Sequence, residues 1–145
     1  MKPSFRPRPG TGLIVALQRA IHLVARRLER DLAGLRLGQA EAHVLAHLAG
    51  AGTGTIAELH RGFGHRRSTL TSILDRLETR RLVTRAIDRT DRRSVRVTLT
   101  PQGRRVARRV ARAVAAIEAR VWRALSGPAV RGFWGTIFVL ERTLR

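Results

Sequence analysis

The sequence predicts a mainly α fold carrying one small β-hairpin, and three observations lead there. Apolar residues recur at helical spacing over most of the 145 positions. Two short segments, Leu82–Ile87 and Ser94–Leu99, read instead as strands. In the second, Val95, Val97 and Leu99 alternate with Ser94, Arg96 and Thr98, the period of a half-buried strand. Between them lies DRTDRR (residues 88–93), a polar and basic hairpin tip. With 43% hydrophobic residues the chain has the material for a core, and its length suits one domain.

The N-terminal residues 1–12 (MKPSFRPRPGTG) are rich in proline, which forbids a helix, so they read as a flexible basic arm. From there Ile14, Leu17, Ile21, Val24 and Leu28 are spaced 3, 4, 3, 4, a heptad seam on a helix running to about Ala33. A second helix covers Gln39–Ala49, with Ala42, Leu45, Ala46 and Leu48 inward. Gly38 ahead of it offers no side-chain cap. Gly50–Thr55 reads as a loop. Thr55 and Glu58 form a T-x-x-E capping box that opens a short helix, Ile56–Arg61.

After a tight GFGH turn, a further helical segment begins near Arg66. Its Leu70, Ile73, Leu74 and Leu77 share one face, while Arg67, Ser68, Thr71, Ser72 and Arg76 lie away from it. Beyond the hairpin, Thr100-Pro101 is an N-cap followed by a first-turn proline. The helix it opens buries Val106, Val110, Val114, Ile117 and Val121. It shows arginines at 104, 105, 108, 109 and 112, either a phosphate-contacting face or a solvated one. Ser126-Gly127-Pro128 restarts a last helix, on which Val130, Phe133, Ile137, Leu140 and Leu144 repeat the seam spacing. Stripes this long are usually buried helix against helix, and a homodimer built from the two ends of the chain accounts for them economically.

Charge narrows the function. There are 29 basic and 10 acidic residues, a formal net charge of +19, and Lys2 is the only lysine. Such a surface seeks a polyanion. The absence of cysteine excludes thiolate zinc, a thiol nucleophile and cysteine redox sensing. No apolar run reaches membrane-span length and no signal peptide is evident, so a cytoplasmic protein without a membrane partner is expected.

Helix, short turn, helix and then a hairpin with a cationic tip is the order of a winged helix-turn-helix. Short hydroxyls and arginines near the start of its second helix suit base edges in a major groove. Here those are Arg66, Arg67, Ser68, Thr69, Thr71 and Ser72, with Arg76 further along. A narrow cationic tip suits the minor groove, and here it holds Arg89, Arg92 and Arg93.

The segments IAELHRGFGHRRSTLTSILDRLETRRLVTR (56–85) and DRTDRRSVRVTLTPQG (88–103) resemble the winged helix-turn-helix of the MarR (multiple antibiotic resistance regulator) family. LGQAEAHVLAHLA (37–49) and the helical ends fit as well. The resemblance implies a mainly α winged helix-turn-helix with N- and C-terminal dimerisation helices. On this reading residues 37–100 bind DNA, and 13–33 with 101–145 dimerise through Ile14, Leu17, Ile21, Val130, Phe133, Ile137, Leu140 and Leu144. It also implies that Asp75 pairs with Arg93 to dock the wing. The expected function is a sequence-specific, ligand-responsive repressor acting as a homodimer on an inverted repeat. The family usually has glycine where this chain has Arg81, at the end of the recognition helix.

The contrasting readings are weaker. A non-specific architectural DNA coater is permitted by the net charge. An enzyme lacks a paired acid and base, a Gly-rich phosphate loop and a serine nucleophile elbow. His43 and His47, with Glu41 nearby, have a metal-compatible spacing but no further ligands, so neither a metal nor any other cofactor is expected. Trp122, Phe133, Trp134 and Phe138 suit either a helix core or a pocket for a small-molecule effector.

Overall fold

The computed structural model describes residues 12–63 and 67–144. The arm at 1–11, the end of the GFGH turn and Arg66 lie outside the described residues. The described chain forms α1 (Leu13–Asp31), a 3-10 turn (Ala33–Leu35), α2 (Gln39–Ala51), β1 (Thr53–Thr55), α3 (Ile56–Phe63) and α4 (Arg67–Thr79). These are followed by β2 (Val83–Ile87), β3 (Val95–Leu99), α5 (Pro101–Ala124) and α6 (Gly127–Thr143). It divides into two compact units, one up to Val114 and one from Ala115 onward.

The core of the first unit gathers Leu45 and Leu48 of α2, Leu59 of α3, Leu70, Ile73, Leu74 and Leu77 of α4, Val97 and Leu99 of β3, and Ala107 of α5. The inward face of α4 is the one its periodicity predicts. That face holds the helix in place. Ser, Thr and Ile are mediocre helix formers, each costing at most roughly 0.7 kcal/mol relative to alanine. Burying each of the four large side chains contributes about 1.5–3 kcal/mol, so packing outweighs propensity. On α2 the inward set needs one correction. Val44 is fully buried, whereas Ala46 is only half-buried.

Gly50–Thr55 is not a loop. Helix α2 runs on to Ala51 and stops at Gly52, which takes a left-handed φ of 73°. The chain then pairs as β1 on the free edge of β3, giving a sheet of order β1-β3-β2. Thr53 stands opposite Thr98, and the Thr53 hydroxyl donates to the Val97 carbonyl at 3.0 Å. A three-residue T-G-T strand has no apolar alternation of its own, so only its partner defines it. In the wing, Val83 pairs with Leu99 and Ile87 with Val95, one residue inside each predicted strand start.

The caps form where the spacing places them. Glu58 N donates to Thr55 Oγ1 at 3.1 Å, and Thr55 N donates to a Glu58 carboxylate oxygen at 2.7 Å. That bonding to Thr55 holds the Glu58 carboxyl below its ordinary value. At α5, Gly103 N donates to Thr100 Oγ1 at 2.9 Å, and the Thr100 hydroxyl donates to the Arg81 carbonyl at 2.7 Å. Ser126 caps α6 by accepting from Ala129 N.

Helix α1 ends at Asp31, two residues short of the expected end. Of its seam only Leu28 is buried, while Ile14, Ile21 and Val24 are exposed. In the second unit no described residue from 115 onward is buried, and Val121, Trp122, Phe133, Trp134, Phe138 and Leu144 are all exposed.

One close approach sets the seat of α5 against the base of the wing. A Cβ added at Gly103 would lie 1.8 Å from the Leu82 carbonyl oxygen. That oxygen belongs to backbone and cannot swing aside. We expect Gly103→Ala to force the first turn of α5 off the wing and cost at least about 1–3 kcal/mol, the usual range for overpacking. Urea denaturation at neutral pH checks this, and an unchanged midpoint would refute the close packing.

Candidate nucleic-acid interface

The candidate interface is built from α4 and the hairpin that follows it. With Leu70, Ile73, Leu74 and Leu77 pinned inward, Arg67, Ser68, Thr69, Thr71 and Ser72 all stand exposed on the first two turns of α4. The Thr71 and Ser72 hydroxyls donate back to the carbonyls of Arg67 and Ser68 at 3.0 and 3.1 Å. Each hydroxyl proton is thereby engaged, so the outward oxygens present lone pairs, and Thr71 also presents its methyl group.

Arg76 has an internal partner. Its Nε donates to Glu41 at 2.8 Å, and Glu41 is almost wholly buried at the start of α2. The same carboxylate accepts from Gly38 N at 2.9 Å, the bond that secures the uncapped start of α2. Arg80 approaches it at 3.5 Å while donating to the carbonyls of Leu35 and Arg36 at 2.6 and 2.8 Å. One buried anion therefore joins the turn before α2, α2 itself and the end of α4. Glu41 is a structural tie, and Arg76 belongs first to that tie.

The wing is docked, but by a different arginine from the one expected. Asp75 pairs with Arg85 of β2 at 2.7 Å, and the same guanidinium reaches Glu78 at 2.6 Å. Arg93 sits at the hairpin tip, where its backbone N–H donates to Asp91 at 3.0 Å. The correction follows from the sheet. Arg85 lies at the middle of β2, directly after α4, whereas Arg93 lies beyond the far end of the strand.

Sequence reasoning also missed the residue that shapes the tip. Asp88 is buried, with one carboxylate oxygen accepting from Thr90 N at 2.8 Å and from the Thr90 hydroxyl at 2.6 Å. Its other oxygen accepts from both Nε and a terminal nitrogen of Arg96. The Thr90 bonds, followed by those of Arg96, hold the Asp88 carboxyl well below the usual carboxylate range. Asp88 N–H and Ser94 carbonyl close the hairpin at 2.9 Å, leaving Arg89, Arg92 and Arg93 exposed at its end. An aspartate opening a D-x-T turn is the signal that could have revealed it.

Among the described residues no group of three histidine or carboxylate side chains could hold a metal ion. His47 packs edge-on against the Phe63 ring at 5.3 Å.

Residues 37–94 match the model of the MarR family. None of the curated proteins compared with the chain matches it. Among solved structures, S. aureus MepR in complex with DNA is 17% identical with a TM-score of 0.78, covering 90% of this chain and 96% of that one. A mutant MarR from E. coli complexed with operator DNA is 27% identical with a TM-score of 0.65, over 91% and 96%. AbsC, a MarR family transcriptional regulator from Streptomyces coelicolor, is 23% identical with a TM-score of 0.76, over 97% and 99%. The fold is that of MarR-family winged-helix regulators, a family of transcription regulators and not of enzymes.

The wing tip carries its own pH dependence. Because the folded Asp88 carboxyl ionises more readily than the unfolded one, its contribution to stability is complete above about pH 4. It is lost as the pH falls further, toward the folded value. We expect Asp88→Asn to speed amide hydrogen exchange at Thr90 and Asp91 at neutral pH, and to flatten the acid limb of the stability profile below about pH 4. Exchange rates and an acid limb equal to those of the parent would remove Asp88 from this role.

Proposed function

With a MarR-family winged helix at residues 37–94 as the premise, we propose that this chain is a sequence-specific, DNA-binding regulator of transcription. It acts as a homodimer on an inverted repeat. The observation that carries the reading is the polarity of α4, whose four apolar side chains are at most 1% exposed while Arg67, Ser68, Thr69, Thr71 and Ser72 face out. Arg66, which immediately precedes them, belongs to the same proposed set. Arginine at such a position takes guanine O6 and N7 in a bidentate contact worth roughly 1–3 kcal/mol of discrimination. The Thr71 methyl suits a thymine methyl, and its engaged hydroxyl disfavours donation to a phosphate. Arg89, Arg92 and Arg93 suit the minor groove, where they read width and potential more than sequence.

The homodimer is supported by the apolar surface left open at both ends of the chain. Ile14 and Ile21 of α1 are about half exposed, as is Phe133 of α6, and Leu144 is 76% exposed. With Leu17, Val130, Ile137 and Leu140 they are the proposed interface. Repression, and release by a small molecule held among the exposed aromatics Trp122, Phe133, Trp134 and Phe138, complete the reading. The S. aureus and E. coli relatives bound to DNA support the choice of partner. Among the described residues no helix is long and apolar enough to cross a membrane.

Selection of bound duplexes from a random library tests the core of the proposal. An inverted repeat should emerge, with half-site centres roughly 10–10.5 base pairs apart or a multiple of that. Combining Arg67→Ala with Thr71→Ala should flatten the preference for the selected repeat over scrambled DNA, leaving residual binding through the wing. An unchanged preference would place base reading elsewhere, and no enrichment at all would favour a non-specific DNA coater. Sedimentation equilibrium should give a dimer at micromolar concentration. A monomer there would overturn the symmetric arrangement.

A further inference from the structure

The fold leaves one long cationic surface outside the recognition helix and the wing. Arg104, Arg105, Arg108, Arg109 and Arg112 are all exposed on the first half of α5. The segment from Arg92 to Ile117 contains no carboxylate. Nor can carboxylates elsewhere in the winged helix readily neutralise them, because those are engaged inside it. Glu41 holds Arg76 and Arg80, Asp75 and Glu78 hold Arg85, and Asp88 holds Arg96. Glu58 and Asp91 bond backbone N–H groups. Among the described residues Arg105, Arg108, Arg109 and Arg112 make no ion pair.

We propose that this face of α5 is a second phosphate-binding surface, which grips the backbone of duplex DNA outside the part contacted by α4 and the wing tip. The inference rests on the DNA-binding reading above and extends it. From Arg104 to Arg112 the helix rises about 12 Å, a length over which a duplex presents about seven phosphates. Arg104 also donates to the Leu99 carbonyl at 3.0 Å, which fixes the start of the face at the base of the wing. The tip lies five strand residues further on, about 16 Å away, so the two surfaces meet different phosphates.

The opposite side of α5 decides against a membrane. An amphipathic helix binds lipid by burying an apolar face in the bilayer. Along the half of α5 that carries the five arginines, Gly103, Ala107 and Val110 already occupy the protein core, so this stretch has no free apolar face to insert. A rigid, densely charged rod is the partner that five arginines without an apolar side best fit.

The test compares the salt dependence of binding to a mixed-sequence duplex for three forms of the full chain. One is the parent. The second combines Arg105→Gln, Arg108→Gln, Arg109→Gln and Arg112→Gln, sparing Arg104 because it holds Leu99. The third combines Arg19→Gln, Arg26→Gln, Arg30→Gln and Arg142→Gln, the same reduction of charge elsewhere. All three are first checked for equal helicity and oligomeric state. The slope of log affinity against log salt should fall by about 0.9 for each phosphate that is no longer neutralised, up to about 3.6 for the α5 variant, with a smaller fall for the control. The preference for the selected repeat should remain, which separates this surface from base reading. A fall smaller than about 0.9, or an equal fall in the control, overturns the proposal alone. Failure of the parent to bind any duplex overturns this proposal together with the DNA-binding reading. Loss of binding to phosphatidylserine vesicles, with DNA binding intact, assigns the face to a membrane and also overturns it.

Discussion

The buried carboxylate of Glu41 is the contact on which the placement of α4 and its exposed side chains depends. An anion removed from water must be met by donors, and Glu41 is met by Gly38 N, Arg76 and Arg80. Those donors come from the N-cap of α2, from α4 and from the residue that follows α4. The bonds therefore set the rotation and height of α4 relative to α2. Hydrophobic packing alone is non-directional, and it would tolerate a small rotation of α4 that re-aimed Arg67 and Thr71. On its other side α4 is tied to β2 through Arg85, which engages both Asp75 and Glu78. The helix is thus clamped between the body and the wing by carboxylates, while its first two turns carry none.

Much of this was legible in the sequence because it is local. The inward face of α4, the Thr55–Glu58 box and the Thr100 cap depend on residues three or four apart, and spacing alone reveals them. The wing was legible from alternation and from its polar tip. What stayed hidden depends on partners far along the chain. The strand at Thr53–Thr55 exists because β3 offers a free edge more than forty residues later. Arg85 and Arg93 are both arginines near Asp75 in sequence, and only the strand register decides which one reaches it. Asp88 was hidden for a different reason, since a short side chain within a run of charges reads as solvated surface.

The departure at Arg81 shows how a fold absorbs a poor residue. The position follows α4 and adopts a φ of 54°, the left-handed conformation for which glycine is suited. A side chain there costs about 1–2 kcal/mol. The geometry persists because its surroundings over-determine it. Leu82 N bonds the Leu77 carbonyl, and the Arg81 and Leu82 carbonyls both meet the Thr100 hydroxyl. The turn is held by the capping of the next helix, and the identity of the residue at position 81 is secondary.

The exposed cations of α4, the wing tip and the α5 face are all arginine. A guanidinium stays protonated throughout the biological pH range, and it offers no primary amine for acylation. The only lysine is Lys2, far from all three surfaces in sequence. Enzymatic lysine acetylation therefore cannot erase this charge. Ionic strength remains as the general physical lever on its attraction to a polyanion.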